Sequence, residues 1–461
     1  MNPPAYDIPS VNSTAAPYIA GNFGLLKNEV AAFDLEVSGR IPEALNGRFL
    51  RIGPNPVDEP DPEWLKGHHW FSGASMAHGL RLRDGKAEWF RSRFVVDKNV
   101  AKVRRRPLIP GPGEGRRDGP VNTNLTVVGD KLCAVIETGN LPVELDYKLE
   151  SVRRTDLDGT LEAGFSGHTR YDRITGEQHV LAYEAFQPVR YISVGRDGRA
   201  TTKAHIDLPH IPMIHDTAFT QSFIIVPDFP VTFQPERAHT NFPWLWDEQR
   251  PCRIGLLPRD GDLSRLQWFE TPRCFAFHFA NAYDDGDLTI IDLLKHPSMF
   301  RTDQNGPNEG APILVRWTLD RTTGRLIEVV LGDHGNDFPR INGRHGGQDY
   351  RYLYTAQWGD RVEFGPAMKH DLKRGTTEVH DYGPGRMTSE PVFVRKPGAA
   401  VEDEGWVMSC VYDFERHRSD VVILDAQDFA GTLITTIRLP VRVPFMFHGG
   451  WASDQDGAPV S

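Results

Sequence analysis

Between residues 405 and 424 the sequence reads GWVMSCVYDFERHRSDVVIL. Two runs rich in valine, isoleucine and aromatic residues flank a polar segment, which is typical of two strands joined in a hairpin. Similar apolar runs occur at Lys131–Glu137, Ser222–Val226 and Leu288–Leu293, and Asp-Gly turn signals recur between such runs. A helical period of 3.6 residues sustained over three turns is hard to find. The sequence therefore predicts an all-β protein.

The number of strands also bears on the architecture. A local repeat, DRITG at 172–176 and DRTTG at 320–324, stands between two apparent strands each time. No shift in composition marks a domain boundary, so we expect a single domain over residues 1–461. Many short strands in one domain favour a β-propeller, whose radial blades leave few exposed edges. Two stacked β-sandwiches remain the alternative at this point.

The composition is that of a soluble globular protein. The 461 residues are 39% hydrophobic and 25% charged, and the net charge of −10 argues against a nucleic-acid-binding protein, which is normally basic. The four cysteines are scattered, which favours buried thiols in a reducing compartment. Residues 1–13 show no signal-peptide pattern, and no apolar run is long enough to span a membrane. We therefore expect a cytoplasmic protein.

Two segments differ from the predicted strands. Residues 101–120 carry Lys102 and several arginines among prolines and glycines. They form either a solvated loop or a basic patch for anionic headgroups, which would give a peripheral membrane contact. Residues 242–246, FPWLW, are either a buried loop anchor or an exposed apolar entrance to a binding site. The pattern leaves both alternatives open for each segment.

Four of the 17 histidines have distinctive surroundings. His168 begins an apparent strand, His215 precedes one, and His278 and His448 lie within aromatic runs. A buried imidazole needs a partner. Their separations of 47, 63 and 170 residues fit no local zinc motif, but they fit ligands that separate propeller blades contribute to one axis. The other histidines, His296 among them, are interpreted as structural or solvated.

Short polar and glycine-containing motifs extend along nearly the whole chain. They are GRIP at 39–42, NGRF at 46–49, RIGPNP at 51–56, MAHG at 76–79, NTN at 122–124, ETG at 137–139, MIHD at 213–216, FPRIN at 338–342, SEP at 389–391, RVP at 442–444 and FHG at 447–449. In sequence and in order they resemble the motifs of the carotenoid cleavage oxygenase family. The resemblance implies a seven-bladed β-propeller with iron on its axis. It also implies loops and short helices that form a cap over the metal.

The resemblance assigns roles to individual residues. The family's four iron-binding histidines fall on His168, His215, His278 and His448. The family's carboxylates that accept the distal N–H of three of these imidazoles, and so fix their tautomer, fall on Glu137 for His215, Asp337 for His278 and Glu390 for His448. The family's threonine near the sixth coordination position falls on Thr123. Position 337 is Asp where the family usually has Glu, so we expect its contact with His278 to shift or to involve a water.

The activity that the resemblance implies is that of a non-haem iron(II) dioxygenase, which uses O2 to cleave a conjugated alkene into two carbonyl products. Relatives that cleave stilbenes and vinylphenols hold the substrate phenol with a lysine directly before the glutamate that matches Glu137, and with a tyrosine upstream. Here Ile136 precedes Glu137, and no tyrosine occurs between Tyr18 and Tyr147. Since a buried phenolate without partners is unfavourable, we expect a small apolar alkene, a carotenoid or apocarotenoid.

Three alternatives to this activity stay open. One is a dioxygenase that cleaves lignostilbenes or vinylphenols such as isoeugenol. Another is a lactonase-like propeller hydrolase, which would hold calcium with carboxylates and amides rather than histidines. The last is a non-catalytic propeller that binds a lipid.

Overall fold

Seven antiparallel sheets of three to six strands are arranged as the blades of a β-propeller in the computed structural model, which describes residues 18–57, 68–112, 117–238, 242–359 and 362–454. The predicted all-β propeller is confirmed, and the alternative of two stacked sandwiches is wrong. The cap over the axis stays a prediction.

The strands are numbered in chain order. The first sixteen are β1 Val30–Ala32, β2 Val37–Gly39, β3 Gly47–Pro54, β4 Ser75–Arg83, β5 Lys86–Phe94, β6 Asn124–Val128, β7 Lys131–Val135, β8 Val143–Leu145, β9 Ser151–Arg154, β10 Arg170–Tyr171, β11 Gln178–Ala182, β12 Val189–Val194, β13 Ala200–Ile206, β14 Phe223–Asp228, β15 Val231–Phe233 and β16 Trp244–Trp246. The next sixteen are β17 Arg253–Pro258, β18 Gln267–Glu270, β19 Phe279–Asp285, β20 Leu288–Lys295, β21 Ile313–Asp320, β22 Arg325–Val330, β23 Asn336–Arg340, β24 Tyr352–Trp358, β25 Phe364–Asp371, β26 Thr376–His380, β27 Arg386–Met387, β28 Val392–Arg395, β29 Gly405–Asp413, β30 Arg418–Asp425, β31 Thr435–Arg438 and β32 His448–Ser453.

Helical structure is scarce in the described residues. The one α-helix, α1, spans Lys98–Arg104, and the side chain of Asp97 caps it by accepting a hydrogen bond from Val100 N at 2.8 Å. The four 3₁₀ turns are Gly21–Phe23, Pro235–Arg237, Leu263–Arg265 and Gly343–His345. The sequence did not predict α1, because seven residues are too few to show a helical period.

Most blades are formed by strands that follow one another along the chain. Blades 2, 3, 5 and 6 are the meanders β6–β9, β10–β13, β19–β22 and β23–β26, and blade 4 contains β14, β17 and β18. Blade 1 has the order β32–β3–β4–β5–β1. Blade 7 has the order β2–β31–β30–β29, with β27 and β28 both beside β29. Because early and late strands share blades 1 and 7, backbone hydrogen bonds between the two ends of the chain close the ring.

The turns between strands follow the chemistry of their residues. In the DRITG repeat, Gly176 N donates to Asp172 O at 2.7 Å between β10 and β11. In DRTTG, Gly324 N donates to Asp320 O at 2.9 Å between β21 and β22. Both glycines have positive φ angles, 76° and 72°, which residues with a Cβ adopt reluctantly. The repeat is therefore the same hairpin turn used in two blades.

Burial follows from the packing of blade against blade. The largest cluster of buried apolar side chains lies between blades 3, 4 and 5. Of the four cysteines, all free thiols, Cys410 is half-buried and the others are buried. No helix among the described residues is long and apolar enough to cross a bilayer.

In the basic segment 101–120, residues 113–116 lie outside the described ranges. Arg106 pairs with Glu29 at 2.5 Å, and Arg117 pairs with Glu184 at 3.1 Å. These two arginines are thus bound to the protein itself. A membrane contact by this segment stays a prediction.

Candidate metal centre and its cavity

The four histidines singled out in the sequence converge at the propeller axis. One nitrogen from each imidazole lies within 4.8 Å of the corresponding nitrogens of the others. His168 Nε2 is 3.0 Å from His215 Nε2, and His278 Nε2 is 3.3 Å from His448 Nε2. They come from blades 3, 4, 5 and 1, so the arrangement expected for ligands from separate blades is present.

Three of the four imidazoles stand at or shortly before the beginning of the innermost strand of their blade. His168 lies shortly before β10, His278 directly precedes β19, and His448 is the first residue of β32. His215 lies in the segment that leads into blade 4, where Ile225 N donates to Ala218 O at 2.9 Å. Inner strands meet at the axis, and this brings together residues that are far apart in the chain.

Three carboxylates hold three of the four imidazoles. Each accepts a hydrogen bond from a ring Nδ1: Glu137 Oε1 from His215 at 2.8 Å, Asp337 Oδ1 from His278 at 2.7 Å, and Glu390 Oε1 from His448 at 2.9 Å. These are the pairs that the resemblance implies. The contact of Asp337 is direct, so a water-mediated contact is wrong, whereas a shift relative to the family's Glu stays a prediction. For His168, Nδ1 is 3.8 Å from Asp216 Oδ1, too far for a hydrogen bond.

The donor set fits a divalent transition metal. An imidazole whose Nδ1 donates to a carboxylate presents a lone pair at Nε2. The two Nε2 lone pairs of His278 and His448 therefore face each other at 3.3 Å, which is unfavourable without a cation nearby. Imidazole suits iron, zinc, copper and nickel, and the carboxylates behind the rings raise their basicity. An octahedral ion held by four imidazoles would keep two positions open.

Burial affects the protonation of these imidazoles. Burial, together with the neighbouring His448, holds the pKa of His168 well below its ordinary value. Burial also lowers the pKa of His448 to about 3, although Glu390 opposes this shift. In His215 burial lowers the pKa, but the carboxylates of Glu137, Asp216 and Asp337 together outweigh it and the net shift is upward. Because a metal binds the unprotonated imidazole, protonation of these rings would compete with metal binding.

Sequence reasoning missed three residues that contact the carboxylates. Glu390 also accepts hydrogen bonds from Arg51 at 2.5 Å and from Arg340 at 2.9 Å, and Glu137 Oε2 accepts one from the Tyr183 hydroxyl at 2.9 Å. Burial by itself would raise the pKa of Glu390, but Arg340 and the other neighbouring cations hold it well below its ordinary value. Arg51 lies in the RIGPNP motif and Arg340 in the FPRIN motif, so the sequence motifs could have marked both arginines as candidate site residues. Tyr183 lies in none of the motifs.

Thr123 lies directly before β6, the inner strand of blade 2, and its N donates to Val135 O at 3.0 Å. Its side chain packs against Gly167, because a Cβ at that glycine would lie 2.5 Å from Thr123 Cγ2. Gly167 directly precedes His168, so the threonine methyl is held beside the imidazole cluster. Its role at a coordination position stays a prediction.

A cavity of about 340 Å³ opens onto the cluster, and His215, His278 and His448 form part of its wall. This volume is within the range of small-molecule sites, roughly 300–1,000 Å³. The wall is otherwise largely apolar and rich in aromatic side chains, which include Trp70, Phe242, Trp244, Phe277, Phe338 and Phe447. The FPWLW segment thus contributes to the cavity wall, and its Trp244 is buried rather than exposed. Ile136 also lines the cavity.

Comparison with known proteins places this centre in a family. The family model described as "Retinal pigment epithelial membrane protein" matches residues 24–453. The chain belongs to the carotenoid cleavage oxygenase family. It is 34% identical over 492 residues to a carotenoid cleavage oxygenase of Mycobacterium tuberculosis, covering 95% of this chain and 97% of that protein. The protein is therefore an oxygenase of the carotenoid cleavage type.

Relatives named for other substrates are also similar to this oxygenase. An isoeugenol monooxygenase of Pseudomonas putida is 30% identical over 473 residues, covering 95% of this chain and 98% of that protein. The crystal structure of Pseudomonas brassicacearum lignostilbene dioxygenase matches with a TM-score of 0.86 and 25% identity, covering 98% of this chain and 100% of that chain. The family thus includes enzymes named for carotenoids and enzymes named for phenolic alkenes.

Proposed function

We propose that this oxygenase holds iron(II) with His168, His215, His278 and His448 and cleaves a conjugated carbon–carbon double bond with O2. The alkene and O2 give two carbonyl products, and each product keeps one oxygen atom, so no external reductant is needed. The observation that carries the proposal is the apolar cavity that ends at four converging imidazoles.

The choice of iron rests on the ligands and on the reaction. Bound there, iron(II) would supply the electron-transfer chemistry that O2 activation needs and that zinc, which has no redox chemistry, lacks. The carboxylates of Glu137, Asp337 and Glu390 accept the Nδ1–H bonds and keep three Nε2 lone pairs aimed at the centre.

The cavity wall would position the alkene and exclude water from the reaction. Aromatic side chains such as Phe277, Phe338 and Phe447 surround the space next to the imidazoles. A flat conjugated chain packs well against such rings, and confinement beside the centre lowers the entropic barrier to reaction with O2. Thr123 also lines this wall and would add to the exclusion of water.

The substrate class we propose is a carotenoid or apocarotenoid. Ile136 lines the wall, and it stands directly before Glu137, where the family resemblance implies a lysine in enzymes that cleave phenols. The Tyr183 hydroxyl also reaches the wall region, but it already donates to Glu137. A phenolate at this end of the cavity would find no free donor on either side chain, whereas an apolar polyene needs none.

A phenolic alkene such as a lignostilbene or vinylphenol is the second candidate, favoured by the names of two relatives. One residue of the cavity supports it as well. Glu184 lines the wall, where it accepts hydrogen bonds from Arg190 at 2.9 Å and pairs with Arg117 at 3.1 Å. Its carboxylate has acceptor capacity left for a substrate hydroxyl.

A competition between substrates tests the proposal. The iron-loaded protein is incubated in air with an apocarotenal, isoeugenol and resveratrol at equal concentrations, and products are measured by mass spectrometry. We expect the apocarotenal to be cleaved fastest. Faster cleavage of either phenol would overturn the substrate class, and failure to cleave any of the three with O2 would overturn the reaction.

A variant pair at Ile136 sharpens this test. Ile136→Lys adds an ammonium group to the apolar wall, so turnover of isoeugenol relative to the apocarotenal should rise. Ile136→Leu keeps the wall apolar and should leave that ratio unchanged. If the turnover of isoeugenol relative to the apocarotenal is the same in both variants, position 136 does not select the substrate.

A further inference from the structure

His296 is a fully buried histidine beside the metal centre that no sequence motif marks. It directly follows β20, and its backbone forms an isolated bridge with Phe275. His296 N donates to Phe275 O at 2.8 Å, and Phe275 N donates to His296 O at 3.1 Å. Phe275 stands shortly before His278 in the chain. The bridge therefore ties His296 to the segment that carries one of the four converging imidazoles.

The two nitrogens of the His296 ring both face acceptors. Nδ1 lies 3.3 Å from Gly310 O, and Nε2 lies 3.8 Å from Asp337 Oδ2. Within the described residues, Nε2 has no hydrogen-bond partner. The ring is packed edge-on between Phe277 and Trp358, each at a centroid distance of 5.5 Å. A buried ring nitrogen held without a partner is uncommon and calls for an explanation.

The second carboxylate oxygen of Asp337, Oδ2, lies opposite this nitrogen. Asp337 Oδ1 accepts hydrogen bonds from His278 Nδ1 at 2.7 Å and from Phe338 N at 2.8 Å. Among the described side chains, the basic group that approaches Oδ2 is His296, at 3.8 Å. A separation of 3.8 Å is longer than a direct hydrogen bond, so an approach of roughly 1 Å would complete one.

The other two carboxylates of the centre show what the second oxygen does. Glu137 uses Oε1 for its histidine, and Oε2 accepts a hydrogen bond from the buried Tyr183 hydroxyl at 2.9 Å. Glu390 uses Oε1 for its histidine, and Oε2 accepts from the buried Arg51 at 2.5 Å. In both cases a buried donor on the second oxygen stops the carboxylate from rotating away from the imidazole. His296 occupies the equivalent place behind Asp337.

We propose that His296 is a positioning residue. Its ring proton lies on Nε2, from which it donates to Asp337 Oδ2 rather than from Nδ1 to Gly310 O, and this keeps the carboxylate aligned with His278. The proposal rests on the proposed iron site, since the imidazole of His278 must be oriented toward a metal. Loss of the donor should let Asp337 turn, weaken the hold on His278 and lower metal affinity.

Two amide variants separate the donor function from simple packing. In His296→Gln the side-chain N–H reaches about as far as Nε2, toward Asp337, whereas in His296→Asn it reaches about as far as Nδ1, toward Gly310. The full-length apo protein is titrated with iron(II) under anaerobic conditions against a chromophoric chelator. We expect the dissociation constant of H296Q within about threefold of wild type, and that of H296N raised about 10-fold or more, the range for residues behind metal ligands.

Two controls accompany the titration. In the Asp337→Ala background the difference between H296Q and H296N should disappear, because the donor has lost its acceptor. His370 is also buried, but its ring nitrogens lie near Thr355 and Thr377 hydroxyls at 2.9 and 3.0 Å. His370→Asn should lower the thermal stability of the apo protein and leave the iron dissociation constant unchanged.

The outcomes distinguish this inference from the proposed function. If the wild type binds no iron(II), the proposed iron site is wrong. If the wild type binds iron(II) but H296Q and H296N bind it equally well, or H370N weakens binding as much as H296N, the role of His296 is wrong. If the variants do not fold, a crystal structure of the iron-loaded wild type tests whether His296 Nε2 contacts Asp337 Oδ2. A distance between His296 Nε2 and Asp337 Oδ2 above 3.5 Å, with no bridging water, would overturn the proposal.

Discussion

Replacing Glu390 by glutamine should destabilise the metal-free protein more than the same change at Glu137, although each residue holds one histidine of the metal centre. In both variants the amide oxygen can still accept the imidazole hydrogen bond, but the negative charge is lost. Iron affinity should therefore fall roughly 10–100-fold in both. The difference between the variants should appear in the stability of the metal-free protein.

The size of this difference follows from the partners of the two carboxylates. Glu390 pairs with Arg51 at 2.5 Å and with Arg340 at 2.9 Å, and the Arg51 side chain is only 3% exposed. Removing one partner of a buried ion pair costs about 3–5 kcal/mol. Arg51 keeps a hydrogen bond to Phe447 O at 2.8 Å, so we take the lower end, about 3 kcal/mol.

No buried lysine or arginine in the described part of the chain pairs with Glu137. Among the described residues its ionic partner is His215, and its other side-chain hydrogen bond comes from Tyr183. Exchanging charged for neutral acceptors in these bonds costs about 1 kcal/mol. Glu390→Gln should therefore lose about 2 kcal/mol more free energy of unfolding than Glu137→Gln.

Urea unfolding of the two variants and the wild type, all freed of metal by chelation, measures this difference. Arg51→Met in the Glu390→Gln background should recover part of the lost stability, because it removes the uncompensated buried charge. Equal unfolding midpoints for the Glu390 and Glu137 variants would refute the reasoning from the buried arginine.

Replacing His215 by alanine should leave less than one iron per chain by elemental mass spectrometry. His205→Ala, at a side chain that is 53% exposed, should keep the wild-type content, and equal iron in both would argue against the four-histidine site. Gly167→Ala should also lower iron content, since its new methyl would lie 2.5 Å from Thr123 Cγ2 and displace the backbone before the histidine cluster. Gly332→Ala, with nothing within 4 Å of its Cβ, should have no effect. Full iron content in the Gly167 variant would show that the Thr123 side chain can move aside without disturbing the histidine cluster.

The sequence by itself determined the class of fold and the identity of the converging histidines. Short apolar runs and turn residues act over a few positions, so strands and hairpins such as 405–424 can be read locally. The motifs around His215 and His448 pointed to iron ligands through their resemblance to a family. The pairing of Asp337 with His278 was also expected, although its direct geometry was not.

The tertiary structure alone decided which residues support that centre. Arg51 meets Glu390 across 339 positions of the chain, and Tyr183 meets Glu137 across 46. Nothing local marks these contacts, because they depend on how inner strands of different blades meet at the axis. His296 shows this most clearly. Its sequence neighbourhood suggests an ordinary structural histidine, and only the packing of blade 5 against blade 6 turns its unpaired nitrogen toward Asp337. Burial makes this contact energetically important, because a polar atom removed from water must find its hydrogen-bond partner within the protein.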